Sequence, residues 1–74
     1  MLYRMAHPID IQLNGELCHV AMGTSMVMLL RQLELDERSV VVELNRKIIR
    51  RTEMESLFLK KGDSVELVHF VGGG

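Results

Sequence analysis

A strong hairpin signal near the start of the chain constrains the fold more than any other feature. Residues 9–15 read IDIQLNG, in which apolar and polar residues alternate up to a final Asn-Gly pair. The alternation is typical of a strand with one face in water. The Asn14-Gly15 pair favours a type I′ turn, because that turn needs positive φ at both central positions. Glu16–Ala21 is therefore predicted to return as a second, antiparallel strand.

One helix is predicted directly after this hairpin. The sequence GTS at positions 23–25 breaks the strand pattern and offers a hydroxyl for a helix N-cap. Apolar residues then recur at the i, i+3, i+4 and i+7 spacing of one helical stripe. This stripe consists of Met26, Leu29, Leu30 and Leu33. We expect a helix of about nine or ten residues, stabilised by packing on a sheet. Met28 stands where a capping box carries Glu, so an incomplete cap is expected.

The remainder of the chain predicts further strands. Val40–Leu44 is rich in β-branched residues and indicates a largely buried strand, and Ile48-Ile49 indicates a brief extended piece. Thr52–Leu59 is ambiguous, with a short helical turn that points Leu57 inward as one interpretation. Ser64–Val71 is predicted as the last strand, with Val65 and Leu67 facing the core.

This order of elements predicts an α+β fold with one main helix on one face of a mixed, four- to five-stranded sheet. It is the β-grasp, or ubiquitin-like, arrangement, in which the first and last strands lie parallel at the sheet centre. A chain of 74 residues is long enough for one small domain. We expect a single domain over residues 1–74, with an N-terminal extension at 1–8 and a flexible glycine tail at 72–74.

Composition argues against several classes of function. The net charge is −1, which gives no general reason to bind nucleic acid or an anionic membrane. No apolar run approaches the roughly 20 residues that span a bilayer, and the start of the chain does not resemble a signal peptide. A cytoplasmic location is therefore expected. The basic residues are interpreted as a solvated face, with an acidic partner as the alternative; they are Arg46, Lys47, Arg50, Arg51, Lys60 and Lys61.

The cysteine and histidine content predicts no metal site. Cys18 is the one cysteine, so it forms no internal disulfide. His7, His19 and His69 lack the spacing of metal ligands. Cys18 is expected on the same strand face as Val20, as a small structural hydrophobe with no neighbouring cation to activate its thiol.

The sequence finishes its last strand with three glycines, Gly72, Gly73 and Gly74. Glycine costs about 0.5–1 kcal/mol per residue relative to alanine in regular structure, so three in a row have little structural use. Three residues extend at most about 10 Å, and without Cβ atoms they can enter a slot too narrow for a side chain. The tail would then deliver the α-carboxylate of Gly74. A frayed terminus is the alternative interpretation.

A carboxylate on such a tail can attack an activated phosphate and become an acyl adenylate. Displacement by a sulfur nucleophile would give a thiocarboxylate, and displacement by a lysine amine would give an isopeptide. The residues alone leave both outcomes open. Val68 and Phe70 are predicted to be exposed beside the tail, where they, with Val71 and the glycines, would contact a partner. The alternative is that Phe70 covers the edge of the sheet.

Four stretches carry a resemblance to a known family, over nearly the whole chain from Ile9. They are IQLNGE, GTSMVMLL, VVVELNRKII and KKGDSVELVHFVGGG. These stretches resemble the ThiS family of sulfur carriers in thiamine biosynthesis, which implies a β-grasp fold. The chain departs from the family pattern in its first eight residues, in Arg50-Arg51 where a proline is common, and in Met28 where an acidic residue is common.

The resemblance also implies an activity. A ubiquitin-activating-type enzyme would use ATP to adenylate Gly74, a sulfur donor system would supply cysteine-derived sulfur, and the resulting thiocarboxylate would pass to thiazole synthase. Gly73 maps to the companion glycine, and Gly72 extends the tail. The carrier would bind no cofactor, catalyse nothing itself and be a monomer when free.

Three other functions remain as alternatives. The first is a small subunit of molybdopterin synthase, which uses the same tail chemistry. The second is a ubiquitin-like modifier or binding module that never carries sulfur. The third, an independent enzyme, would need a pocket with acid–base or nucleophilic residues, and the sequence indicates none.

Overall fold

The computed structural model describes residues 7–69. Its strands are β1 (Pro8–Leu13), β2 (Glu16–Ala21), β3 (Val40–Leu44), β4 (Lys47–Ile49) and β5 (Ser64–His69), and its helix is α1 (Met26–Gln32). Two short 3-10 helices span Glu37–Ser39 and Arg51–Glu53. The predictions for residues 1–6, Phe70, Val71 and the glycine tail lie outside the described residues.

The strands form one sheet in the order β2-β1-β5-β3-β4. β1 and β5 run parallel at its centre, and the other neighbouring pairs are antiparallel. Residues of α1 and of the inward faces of the strands share one hydrophobic core. The predicted β-grasp fold is confirmed, with five strands and one main helix.

The first hairpin has the predicted turn. Asn14 has a φ of 50° and Gly15 a φ of 83°, as a type I′ turn requires. The two strands pair from Leu13 opposite Glu16 back to Pro8 opposite Ala21. β1 therefore begins at Pro8, one residue before the predicted start and within the segment assigned to the N-terminal extension.

Helix α1 is shorter than predicted, with seven residues rather than nine or ten. It ends because Glu34 adopts a left-handed conformation with a φ of 60°. The N–H of Glu34 donates to the Arg31 carbonyl at 3.0 Å, and the N–H of Leu35 donates to the Leu30 carbonyl at 2.9 Å. This is a Schellman motif, which returns Leu35 to the core and leaves Leu33 39% exposed, against the prediction that Leu33 is inward.

The N-cap of α1 is more complete than expected. The Ser25 hydroxyl accepts a hydrogen bond from the Met28 N–H at 3.2 Å, as an N-cap should. The Ser25 N–H in turn points at the Met28 thioether sulfur at 3.5 Å. A weak sulfur acceptor thus takes the place of the Glu carboxylate, and the prediction of an incomplete cap is wrong.

The core lies between α1 and the sheet. Its most buried hydrophobic members come from the helix and from three strands: Ile11, Met26, Leu29, Leu30, Val42 and Val65. The ambiguous segment contributes Met54 and Leu59, both buried, and Leu57 packs against them half-buried. Backbone hydrogen bonds from Met26 to the Leu57 carbonyl and from Leu59 to the Thr24 carbonyl attach this segment to the start of the helix.

Candidate functional site

Strand β5 leads toward the glycine tail, and its start is held on both sides. It pairs with β3 over five positions, from Val65 opposite Leu44 to His69 opposite Val40. Its pairing with β1 covers Gln12 with Ser64 and Leu13 with Val65 and goes no further. In the described part of the chain, the half of β5 nearest the tail therefore pairs with β3 alone.

Two turn asparagines complete the anchoring of β5. The Asn14 side-chain oxygen accepts a hydrogen bond from the Leu67 N–H at 2.7 Å, beyond the point where the ladder to β1 ends. The Asn45 side-chain oxygen accepts one from the Ser64 N–H at 2.9 Å. Asn45 also has a positive φ, of 52°. Each asparagine thus forms a tight turn and holds the last strand at the same time.

Replacement of Asn14 should show this double role. Asn14→Ala loses the bond to Leu67 and puts a Cβ-bearing residue without local hydrogen bonding at positive φ. We expect the free energy of unfolding to fall by about 2 kcal/mol. The matched variant Asn14→Gly loses the bond but tolerates the turn, so it should cost about 1 kcal/mol. Denaturant titration measures both values, and an Asn14→Ala protein as stable as the original would contradict the assignment.

Strand β5 alternates as predicted. Val65 is fully buried and Leu67 half-buried, whereas Glu66 and Val68 point to the opposite face of the sheet. The Val68 side chain is 58% exposed. A role for Val68 in docking a partner stays a prediction, as do the roles of Phe70, Val71 and the three glycines, which lie outside the described residues.

Val68 belongs to a larger surface on the side of the sheet that faces away from α1. Val41 lies directly opposite Val68 on β3, and Glu43 lies directly opposite Glu66. Ile48 on β4 is the other cross-strand neighbour of Glu43. We call these five residues the outer patch. It is an apolar surface with two carboxylates inside it.

Cys18 lies where the sequence placed it, on the inward face of β2 with Val20. It is half-buried and packs against the core. Its sulfur approaches the carbonyl oxygen of His19 at 3.9 Å, a weak contact. The surroundings are those of a small hydrophobic side chain.

Cys18→Ser is therefore expected to fold, and the sulfur loading that the sequence predicts at Gly74 should not depend on it. The hydroxyl is less favourable than the thiol in a half-buried apolar site, so the free energy of unfolding should fall by about 1 kcal/mol. Intact mass after sulfur loading and thermal melting measure the two effects. A folded Cys18→Ser protein that takes up no sulfur would place the sulfur chemistry on Cys18.

One cleft of the described structure lies on the helix side of the domain. It is lined by Val27, Arg31, Glu37, Arg51, Thr52 and Glu55. The lining carries charges of both signs and includes neither a histidine nor a cysteine. Nearby, the N–H and guanidinium of Arg38 donate to the Asp36 carboxylate and hold the pKa of that carboxyl below its usual value. Asp36 serves there as the cap of a 3-10 helix.

All six basic residues of the predicted solvated face are exposed. Within residues 7–69, no three side chains of His, Cys, Asp or Glu gather closely enough to hold a metal ion. The same part of the chain contains no helix with the length and apolar character needed to cross a membrane.

The sheet order and the single packed helix define a ubiquitin-like β-grasp protein. The model of the ThiS family matches residues 11–74. The chain therefore belongs to the ThiS family, and the resemblance seen in the sequence is confirmed.

Individual relatives agree with this assignment. The sulfur carrier protein ThiS of Bacillus subtilis is 37% identical over 65 residues, which cover 86% of this chain and 98% of that protein. The crystal structure of the thiamine biosynthesis protein ThiS from Geobacter metallireducens superposes with a TM-score of 0.76 at 32% identity, covering 89% of this chain and 100% of that one. A thiazole synthase of Magnetococcus marinus is 38% identical over 66 residues, but this chain spans only 20% of its length.

Proposed function

We propose that this protein is a sulfur carrier in thiamine biosynthesis and that Gly74 carries the sulfur as a thiocarboxylate. The observation that supports it best is the family match, which runs from the first strand to Gly74 itself. The Bacillus subtilis sulfur carrier, similar over nearly its full length, supports the same function. In this proposal the chain is a substrate of its partners and performs no catalysis of its own.

The proposed chemistry begins at the α-carboxylate of Gly74. One of its oxygens attacks the α-phosphorus of ATP on an adenylating enzyme of the ubiquitin-activating type, and pyrophosphate leaves. The acyl adenylate then reacts with hydrosulfide, or an equivalent at the sulfide oxidation level, from a donor system; the new C–S bond forms and AMP leaves. The product is a thiocarboxylate, whose sulfur is the nucleophile delivered onward. ATP is bound by the adenylating enzyme, so the carrier itself needs no cofactor.

The described fold suits this role because it holds the strand that bears the tail. β5 is paired to β3 along its length and tied to Asn14 at Leu67. A tail that leaves a fixed strand has a defined starting point, which lowers the entropy lost when Gly72, Gly73 and Gly74 enter a narrow channel.

We propose thiazole synthase as the acceptor of the sulfur. The thiazole synthases of Magnetococcus marinus and Paramagnetospirillum magneticum each contain a segment similar to this chain that amounts to 20% of their length. There the carrier-like segment and the synthase are parts of one polypeptide. In this proposal the carrier is a cytoplasmic monomer that reaches the synthase by non-covalent docking.

Complementation tests this function against its alternatives. The gene is expressed, with the adenylating enzyme and thiazole synthase of its own organism, in a host that lacks its thiamine sulfur carrier. We expect growth without thiamine, and no growth when Gly74 is deleted. Rescue only of a host that lacks the small subunit of molybdopterin synthase would favour that alternative. Lysine-linked conjugates in place of rescue would favour a ubiquitin-like modifier.

A further inference from the structure

The first hairpin turn contains an asparagine that can react with its own backbone. Asn14 is followed by Gly15, which has no side chain to shield its backbone nitrogen. A Cβ atom placed on Gly15 would meet no other atom within 4 Å, so the turn is open to water and to base. Asparagine is a chemically labile residue, and a following glycine leaves the path of attack on its side chain unhindered. The turn is therefore a candidate site of deamidation.

Deamidation at this pair needs only water as a co-reactant. The Gly15 nitrogen gives its proton to a base and attacks the side-chain carbonyl carbon of Asn14, and ammonia leaves as the Cγ–Nδ2 bond breaks. The product is a five-membered succinimide, and water then breaks either of its two C–N bonds. One opening gives aspartate, and the other gives isoaspartate, in which the main chain runs through Cγ. No atom is oxidised or reduced.

The folded structure holds the Asn14 side chain away from this reaction. Its oxygen accepts a hydrogen bond from the Leu67 N–H at 2.7 Å, and the Asn14 N–H donates to the Val65 carbonyl at 2.8 Å. The side chain therefore points across to β5 and not back toward Gly15. The bond to Leu67 has to break before the ring can close, so the reaction requires local opening between the hairpin and β5.

The two products differ in how they affect β5. Aspartate keeps an oxygen that can accept from the Leu67 N–H, and its charge strengthens that bond. Isoaspartate loses the bond, because the Cγ carbonyl that accepted it becomes the main-chain link to Gly15. The turn also gains one backbone carbon, which the two-residue type I′ geometry does not accommodate. In the described part of the chain, β5 beyond Val65 would then be held by β3 alone.

We propose that Asn14-Gly15 is a deamidation site and that its isoaspartyl product releases the strand that leads to the glycine tail. The bond to Leu67 keeps the reaction slow in the folded protein. Either product adds one negative charge to the net charge of −1. The isoaspartyl form is also a substrate for the class of methyltransferase that recognises isoaspartate. This inference does not depend on whether Gly74 carries sulfur.

Asn45 provides a matched comparison within the same chain. It has a left-handed φ of 52°, against 50° for Asn14. Its side-chain oxygen also accepts from β5, from the Ser64 N–H at 2.9 Å. The residue that follows it is Arg46, whose side chain hinders access to the backbone nitrogen. Asn45 is therefore expected to stay intact under conditions in which Asn14 reacts.

The test incubates the full-length protein at mildly alkaline pH, both folded and unfolded in urea. Peptide mass follows the exchange of amide for carboxylate at each asparagine, and a purified isoaspartyl methyltransferase counts the isoaspartate. We expect reaction at Asn14 and not at Asn45. We also expect the folded protein to react more than about tenfold more slowly than the unfolded chain, because opening breaks the bond to Leu67 and the neighbouring strand contacts.

The purified products test the effect on β5. The isoaspartyl protein should melt at a lower temperature than the original and exchange the Leu67 N–H faster with solvent deuterium. Asn14→Asp supplies the aspartyl product without isoaspartate, and it should melt close to the original and keep Leu67 protected.

Four results would overturn the proposal. Absence of reaction at Asn14 in the folded protein over many days would remove the site. Equal rates in the folded and unfolded chains would show that the bond to Leu67 does not restrain the reaction. An isoaspartyl protein with the original melting temperature and a protected Leu67 would show that β5 is not released. An equal loss of stability in Asn14→Asp would assign the effect to the added charge and not to the altered main chain.

Discussion

Removal of Gly74 is expected to abolish sulfur loading while the domain stays folded. The deletion moves the α-carboxylate to Gly73 and draws it back by about 3.5 Å from the point where the adenylating enzyme acts. A displacement of even 1 Å from the reacting geometry can cost a factor of about a hundred. We therefore expect loading to fall by more than about a hundredfold, with an unchanged melting temperature. Quantitative intact mass against time measures the rate.

The control for this deletion is Gly74→Ala, which keeps the length of the tail and adds one methyl group beside the carboxylate. This variant shows whether sulfur loading requires only the full length of the tail or also requires a terminal residue without a side chain. Loading of the deleted chain at the rate of the original would show that Gly74 is not the reacting residue.

Gly73→Val is expected to block loading by widening the tail. A β-branched side chain gives the tail a width that a channel shaped for glycine cannot accept, and it restricts the backbone as well. We expect the rate of loading to fall by more than about a hundredfold. The buried core of the described residues extends from Ile11 to Val65, so we expect the melting temperature to stay the same.

Gly73→Ala is the matched intermediate, since it adds a single methyl group. A narrow channel predicts a graded series in which alanine reduces loading and valine prevents it. Normal loading of Gly73→Val by an enzyme that also loads the original chain would show that the tail enters no tight channel.

The parts of the fold that were predicted correctly have signals within a few residues of one another. Asn14-Gly15 specifies its own turn, and the alternation on either side of it specifies which strand faces turn inward. The alternation of β5 likewise predicts that Glu66 and Val68 lie on the outer face, as they do in the structure. Local chemistry was sufficient in these places because each turn or strand face depends on its own few residues.

The errors occur where a residue acts against its usual preference. Glu34 takes the left-handed position that ends α1, where glycine is the usual signal, so the helix was predicted too long. Met28 completes the N-cap with its sulfur, an acceptor that the standard capping pattern does not include. Neither the left-handed conformation of Glu34 nor the Met28 contact in the N-cap is evident from the sequence. The packing of Leu35 determines the first, and the surroundings of Ser25 determine the second.

The features of the candidate site that escaped prediction depend on contacts between distant segments. Asn14 was recognised as a turn residue, but its bond to Leu67 joins positions 53 residues apart. The opposition of Glu43 and Glu66 depends on the register between β3 and β5, which no local pattern specifies. The outer patch therefore became visible only once the strands were paired.

The central claim is that Gly74 carries sulfur, and one measurement addresses it most directly. The purified chain is incubated with the adenylating enzyme, ATP and a cysteine-derived sulfur source, and its intact mass is then recorded. We predict a gain equal to the exchange of one oxygen for one sulfur, located at Gly74 by fragmentation. An unchanged mass, with enzymes shown to be active on another carrier, would contradict the account.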